Sequence, residues 1–107
     1  MDNLLDLPSI PRATTDELVT VLAENRNVRI ERIVSNGHAS PANFWYDQDE
    51  HEWVAVLQGE AKLLFGDGDI VHLTPGSHVL IPAHTRHRVQ WTEPATATVW
   101  LAVFYRD

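Results

Sequence analysis

The stretch WYDQDEHEWVAVLQG, Trp45 to Gly59, sets four acids, a histidine, a tyrosine and a glutamine before an apolar run that ends in glycine. The run reads as a strand. Side chains alternate faces along a strand, so Tyr46, Gln48 and Glu52 share parity and can point into one cavity. His51 has the opposite parity and faces outward, unless the strand starts later or a bulge re-aims it. A carboxylate at the head of an apolar strand needs a partner, because burying it alone is costly. Either Glu52 belongs to a polar site, or it forms an ion pair with Arg86, Arg88 or Arg32.

Strand signals continue on both sides of this stretch. VRIERIV alternates, with Val28, Ile30, Arg32 and Val34 on one face and Arg29, Glu31 and Ile33 on the other. EAKLLFGDGDIVHL reads as a hairpin turning at Gly66-Asp67-Gly68-Asp69, where glycine permits positive φ. SHVLIP is a strand stopped by Pro82, and HRVQW and ATVWLAVFY complete the set. The count is roughly eight strands at the spacing of an all-β barrel or sandwich. Before them, TTDELVTVLAEN is expected to form the one helix: Thr14 and Glu17 have capping-box spacing, and Leu18, Val21 and Leu22 make an apolar stripe. The opening LLDLPSIP carries two prolines and reads as an extended arm packed on the body or on a partner subunit.

The chain has 107 residues and 44% hydrophobic residues, enough for one domain with one core. The expected division is an arm and helix over 1–26 and a β-barrel over 27–105. A net charge of −7 repels phosphate backbones and anionic lipid, which argues against nucleic-acid or membrane partners. There is no cysteine, hence neither a disulfide framework nor a thiol nucleophile. No basic leader or apolar run of membrane-spanning length is present, so a cytoplasmic protein is expected. GDGD lacks the features of a phosphate-binding loop. Ser35, Ser40 and Ser77 sit at turn signals with no evident base, and His38, His72 and His78 read as surface or edge positions.

Two segments together resemble the paired motifs of the cupin superfamily. Glu52, six residues and Gly59 match the second half of the first motif, G(X)5HXH(X)3,4E(X)6G. Gly76, five residues, Pro82, one residue, His84 in place of glycine, two residues and His87 match the second, G(X)5PXG(X)2H(X)3N. The closing asparagine falls at Trp91, and the two histidines of the first motif fall at Tyr46 and Gln48 or, with the four-residue gap, at Trp45 and Asp47. The resemblance covers about residues 27–105. It implies a double-stranded β-helix, or jelly-roll, barrel with a divalent metal held by three histidines and a glutamate. Glu52 and His87 stand at two of those four positions.

Divalent ions need three or more donors converging in a small volume. The expected set here is Glu52, His87 and Gln48, with His51 as a further candidate, for Mn, Fe, Ni or Zn. Tyr46, His84 and Trp45 are the candidates for contacting a small-molecule ligand. Phe44, Trp45 and Tyr46 cannot all face inward, and an aromatic ring at the mouth could stack on a flat ligand. VWLAVFY is apolar on both faces, so a homodimer is expected. Two functions stay open: a pocket protein binding a small molecule, with or without a metal, and a metal-dependent dioxygenase, isomerase, decarboxylase or lyase. Fold alone does not choose between them.

Overall fold

The computed structural model describes residues 2–8 and 17–107. Among the described residues eight strands run in order: β1 (Leu18–Glu24), β2 (Val28–Ser35), β3 (His51–Gln58), β4 (Ala61–Phe65), β5 (Ile70–Leu73), β6 (His78–Ile81), β7 (His87–Thr92) and β8 (Thr98–Tyr105). They form a five-stranded sheet in the order β1-β2-β8-β3-β6 and a three-stranded sheet in the order β5-β4-β7, with antiparallel pairing throughout.

The alternation of VRIERIV becomes a regular register. β2 pairs with β8 from Val28 opposite Tyr105 to Ser35 opposite Thr98. Glu31 and Ile33 therefore share the inner face with Ala102 and Trp100, while Ile30 and Arg32 share the outer face with Val103 and Leu101. β8 also pairs with β3, which sets Glu52 opposite Phe104 and Val54 opposite Ala102 on the inner face. The core fills the gap between the sheets with Val54, Val56, Ala61, Leu63, Leu73 and Ile81, capped by Trp100. Each buried valine, leucine or isoleucine contributes about 1.5–3 kcal/mol.

The expected N-terminal helix is not shown. Leu18–Glu24 is a strand, paired with β2 from Leu18 opposite Val34 to Glu24 opposite Arg29. Val19, Thr20 and Val21 are consecutive β-branched residues, which lose side-chain freedom in a helix and fit a pleated surface. The apolar spacing of Leu18, Val21 and Leu22 satisfies a helical stripe, but the run instead pairs along one edge with β2, with a register shift between Val21 and Ala23. Thr14, the proposed cap, lies outside the described residues.

The glycine turn forms as expected. Gly68 takes φ +96, the Gly68 N–H donates to the Phe65 carbonyl at 2.9 Å, and the Phe65 N–H donates to Asp69 at 2.9 Å. Gly59 is required twice over. Its φ is +84, and a Cβ there would lie 2.4 Å from Thr98 Oγ1. Part of the opening arm packs on the body, where the Arg32 guanidinium donates to the carbonyls of Leu4 and Asp6 at 3.4 and 3.3 Å. Among the described residues no helix is long and apolar enough to cross a membrane.

Candidate functional site

A cavity of about 260 Å³ opens between the inner faces of the two sheets. Its apolar wall comes from the core, including Val54, Leu63, Ile81 and Val89. Its polar side is formed by Tyr46, Gln48, Glu52 and His87, joined by Glu17, Arg29 and Glu31 from the β1–β2 side.

Glu52 reaches the cavity because β3 turns it to the face of Val54 and Val56. It is 9% exposed and His87 is 3% exposed. The Gln48 Nε2 amide donates to Glu52 Oε1 at 3.0 Å, and His87 Nε2 lies 3.4 Å from the same oxygen. His87 Nδ1 lies 2.8 Å from the Thr85 carbonyl, an oxygen that can only accept. With the proton on Nδ1, Nε2 needs a second proton to face a carboxylate. Burial opposes that charge, but the contact with Glu52, the Thr85 carbonyl and the Glu52 charge together raise the His87 pKa.

Tyr46 is fixed beside His87 by backbone pairing. The Tyr46 N–H donates to the His87 carbonyl at 2.8 Å, and the His87 N–H donates to the Tyr46 carbonyl at 3.1 Å. Directly opposed residues on such a bridge project to the same side. Their rings stack, with centroids 5.3 Å apart and planes at 25°. The Tyr46 hydroxyl points to Glu17 Oε1 at 3.5 Å, the limit of hydrogen bonding. Burial, followed by the Glu17 and Glu52 charges, pushes the phenol up to about 12. At neutral pH Tyr46 is a proton-bearing donor rather than a base.

Glu17 anchors a second polar group. Its Oε2 accepts from Ser35 Oγ at 3.2 Å, and Ser35 Oγ accepts from the Trp100 indole at 3.0 Å. His38 Nε2 lies 3.5 Å from Glu17 Oε1. Burial raises the Glu17 carboxyl pKa, and the nearby His38, Ser35 and Tyr46 only partly offset it. Arg29 donates to Glu31 at 2.7 Å and to both Glu50 oxygens at 3.3 and 3.2 Å, while its guanidinium lies 4.5 Å above the Phe104 ring.

Other residues singled out by the sequence lie away from the cavity lining. His51 faces outward, as its parity demands: Nδ1 accepts from the Ala83 N–H at 3.1 Å and Nε2 meets Asp107 at 3.2 Å. His84 is exposed, with its ring 3.2 Å from Asp47. Trp45 lies under the Arg86 guanidinium at 4.7 Å. The arginines proposed as ion-pair partners of Glu52 are engaged elsewhere: Arg86 on Trp45, Arg88 on the carbonyls of Ala42 and Ser40, and Arg32 on the arm. His38, read as a surface position, is instead half-buried against Glu17. The Glu17 group was missed because a helical reading of residues 14–25 separates Glu17 from every strand. The β-branched run Val19-Thr20-Val21 was the available signal.

The donor set does not fit a resident divalent ion. The cavity side of the site presents one imidazole and one carboxylate of the expected type. Tyr46 and Gln48 stand where the motif has histidines, and Gln48 turns its amide toward Glu52. Among the described residues, no three His, Cys, Asp or Glu side chains group so as to hold a metal.

The sheet order, the Glu52–Gly59 and Gly76–His87 segments and the inward-opening cavity define a small all-β barrel of one known type. The cupin domain family matches residues 31–104, and the chain belongs to that family. An L-ectoine synthase of Rhodococcus opacus (strain B4) is 33% identical over 103 residues, covering 84% of this chain and 76% of that protein. A solved structure from Ralstonia eutropha JMP134, provisionally named a mannose-6-phosphate isomerase, is 42% identical with a TM-score of 0.91, covering 100% of this chain and 98% of that one. A cupin superfamily protein of Desulfitobacterium hafniense DCB-2 shares the fold at 22% identity and a TM-score of 0.73, covering 99% and 100% of the two chains.

Proposed function

We propose that this chain binds a small polar organic molecule in the barrel cavity, without a resident metal, and that Glu52 and His87 hold it there. The observation that carries this reading is the buried contact of His87 Nε2 with Glu52 Oε1 at 3.4 Å, opening on a cavity of about 260 Å³. A volume of that size lies just below the usual range for ligand pockets and suits a small metabolite rather than a cofactor. An imidazolium beside a carboxylate can give a proton to one ligand atom while the carboxylate takes one from another. Tyr46 supplies a fixed hydroxyl donor.

Catalysis is the second reading, and the names of the relatives favour it: one is a synthase and one is named an isomerase. Ligand binding comes first in either reading. The test is thermal shift of the purified protein against a panel of small hydroxy acids, amines, sugars and sugar phosphates, repeated on Glu52→Gln and His87→Asn. A stabilising compound whose effect is lost in both variants supports the cavity reading. Equilibration with Mn, Fe(II), Ni or Zn is expected to leave the transition unmoved; one bound equivalent per chain, lost in both variants, would overturn the metal-independent reading.

A further inference from the structure

The charge around the cavity is lopsided. The carboxylates of Glu17, Glu31 and Glu52 line it, and Glu50 stands behind Arg29. Arg29 is the sole lysine or arginine among the described lining residues, and its guanidinium is already engaged by Glu31 and Glu50. Four acids thus face one arginine and the two imidazoles of His38 and His87. With all four acids ionised, the surroundings stay negative even when both histidines carry protons. Buried carboxylates gain from a cation placed beside them. An anion entering here meets like charge in a low-dielectric site, with no free guanidinium or ammonium to receive it.

We infer that the ligand is a small amine, its ammonium compensated by Glu52 and Glu17 and its short alkyl body lying along Val54, Leu63, Ile81 and Val89. This rests on the reading that the cavity takes a small organic molecule, and adds the ligand's class. The Tyr46 hydroxyl lies 3.5 Å from Glu17, and the His87 ring on which Tyr46 stacks lies 3.4 Å from Glu52, so the two carboxylates flank one ring pair in the cavity wall. The apolar wall accepts methylenes, and the polar side offers acceptors to an N–H donor. By the same logic a sugar phosphate is excluded, despite the name carried by the 42% identical relative.

Isothermal titration with n-butylamine, 1,3-diaminopropane and 1,4-diaminobutane, against 1,4-butanediol and glycerol 3-phosphate, tests this directly. The amines are expected to bind at least tenfold more tightly than the diol, and glycerol 3-phosphate not at all. Glu52→Gln and Glu17→Gln keep side-chain shape, and each should weaken amine binding at least tenfold. Phosphate or diol binding as tight as the amine, or amine binding untouched in both variants, would overturn the assignment. If the diol alone binds and Glu52→Gln abolishes it, the cavity reading stands and the cation fails. If no compound of the three classes binds, both fail.

Discussion

The Tyr46 ring lies on the His87 imidazole because their backbones exchange two hydrogen bonds, not because the rings alone attract. The stack forms one wall of the cavity. Tyr46→Phe keeps the ring and removes only a long hydroxyl contact, so it should change stability by less than about 1 kcal/mol. Tyr46→Ala removes the wall and should cost about 2 kcal/mol or more. Urea denaturation of both variants measures the difference, and equal losses would show that the ring contributes nothing.

The raised His87 pKa gives a signed pH dependence. A base whose folded pKa lies above its unfolded value adds stability that is fully present below the unfolded value. That stability fades as pH rises through the folded value. Unfolding free energy should therefore fall as pH climbs from about 6.5. Glu52→Gln keeps the side-chain shape but removes the negative charge that helps to raise the pKa. Imidazole resonances followed by NMR should titrate at lower pH in that variant, and the alkaline decline should flatten.

Glu17 has the opposite chemistry and the same direction. Its carboxyl is raised above the ordinary 4.5, so the folded state resists ionisation that the unfolded chain accepts freely. Stability is lost as pH rises from the unfolded value to the folded one. Glu17→Gln should gain on the parent between pH 4 and pH 7. Denaturation curves at the two pH values check this, and a constant difference would remove Glu17 from the account.

Two backbone positions should respond in opposite ways. Gly59→Ala places a methyl against Thr98 at a φ of +84, and is expected to cost about 2–4 kcal/mol. His84 sits at φ +62 where the motif has glycine, held by its N–H to the Gln48 carbonyl at 2.7 Å. His84→Gly relieves that backbone and should raise stability by up to about 1 kcal/mol. Melting temperatures of the pair decide both.

Self-association is expected on the outer face of the five-stranded sheet. Ile30, Val103, Trp53 and Leu80 stand in one row across β2, β8, β3 and β6. The outward positions of these strands carry no acid, on a chain whose net charge is −7, so two copies can meet along this apolar row without opposing carboxylates. Sedimentation should show a dimer, and Leu80→Glu, at a site 51% exposed, should give monomers that remain folded. A monomeric parent would end this expectation.

The strands from Val28 onward were legible because alternation and glycine turns are local signals. The motif spacing carried Glu52, Gly59 and His87 to their places. Parity within β3 separated Glu52 from His51, whereas Tyr46 and Gln48 precede the strand and reach the cavity through the Tyr46–His87 bridge and the Gln48–Glu52 hydrogen bond. β1 was misread because an apolar run such as LVTVLA satisfies both periods, and only its pairing with β2 decides between them. The Glu17–Ser35–Trp100 chain was invisible for a related reason: its members are distant in sequence and meet only when the sheet is complete.

β8 is the last strand along the chain and yet lies in the middle of its sheet, between β2 and β3. During synthesis, β2 and β3 emerge with no partner on their inner edges: Ser35 waits for Thr98, and Gln58 waits for Val99. Pairing over such separations is slow, and bare apolar edges are sticky in the interval. A ribosome that stalls before residue 98 therefore releases not a smaller barrel but two open sheet edges, a substrate for chaperones or aggregation.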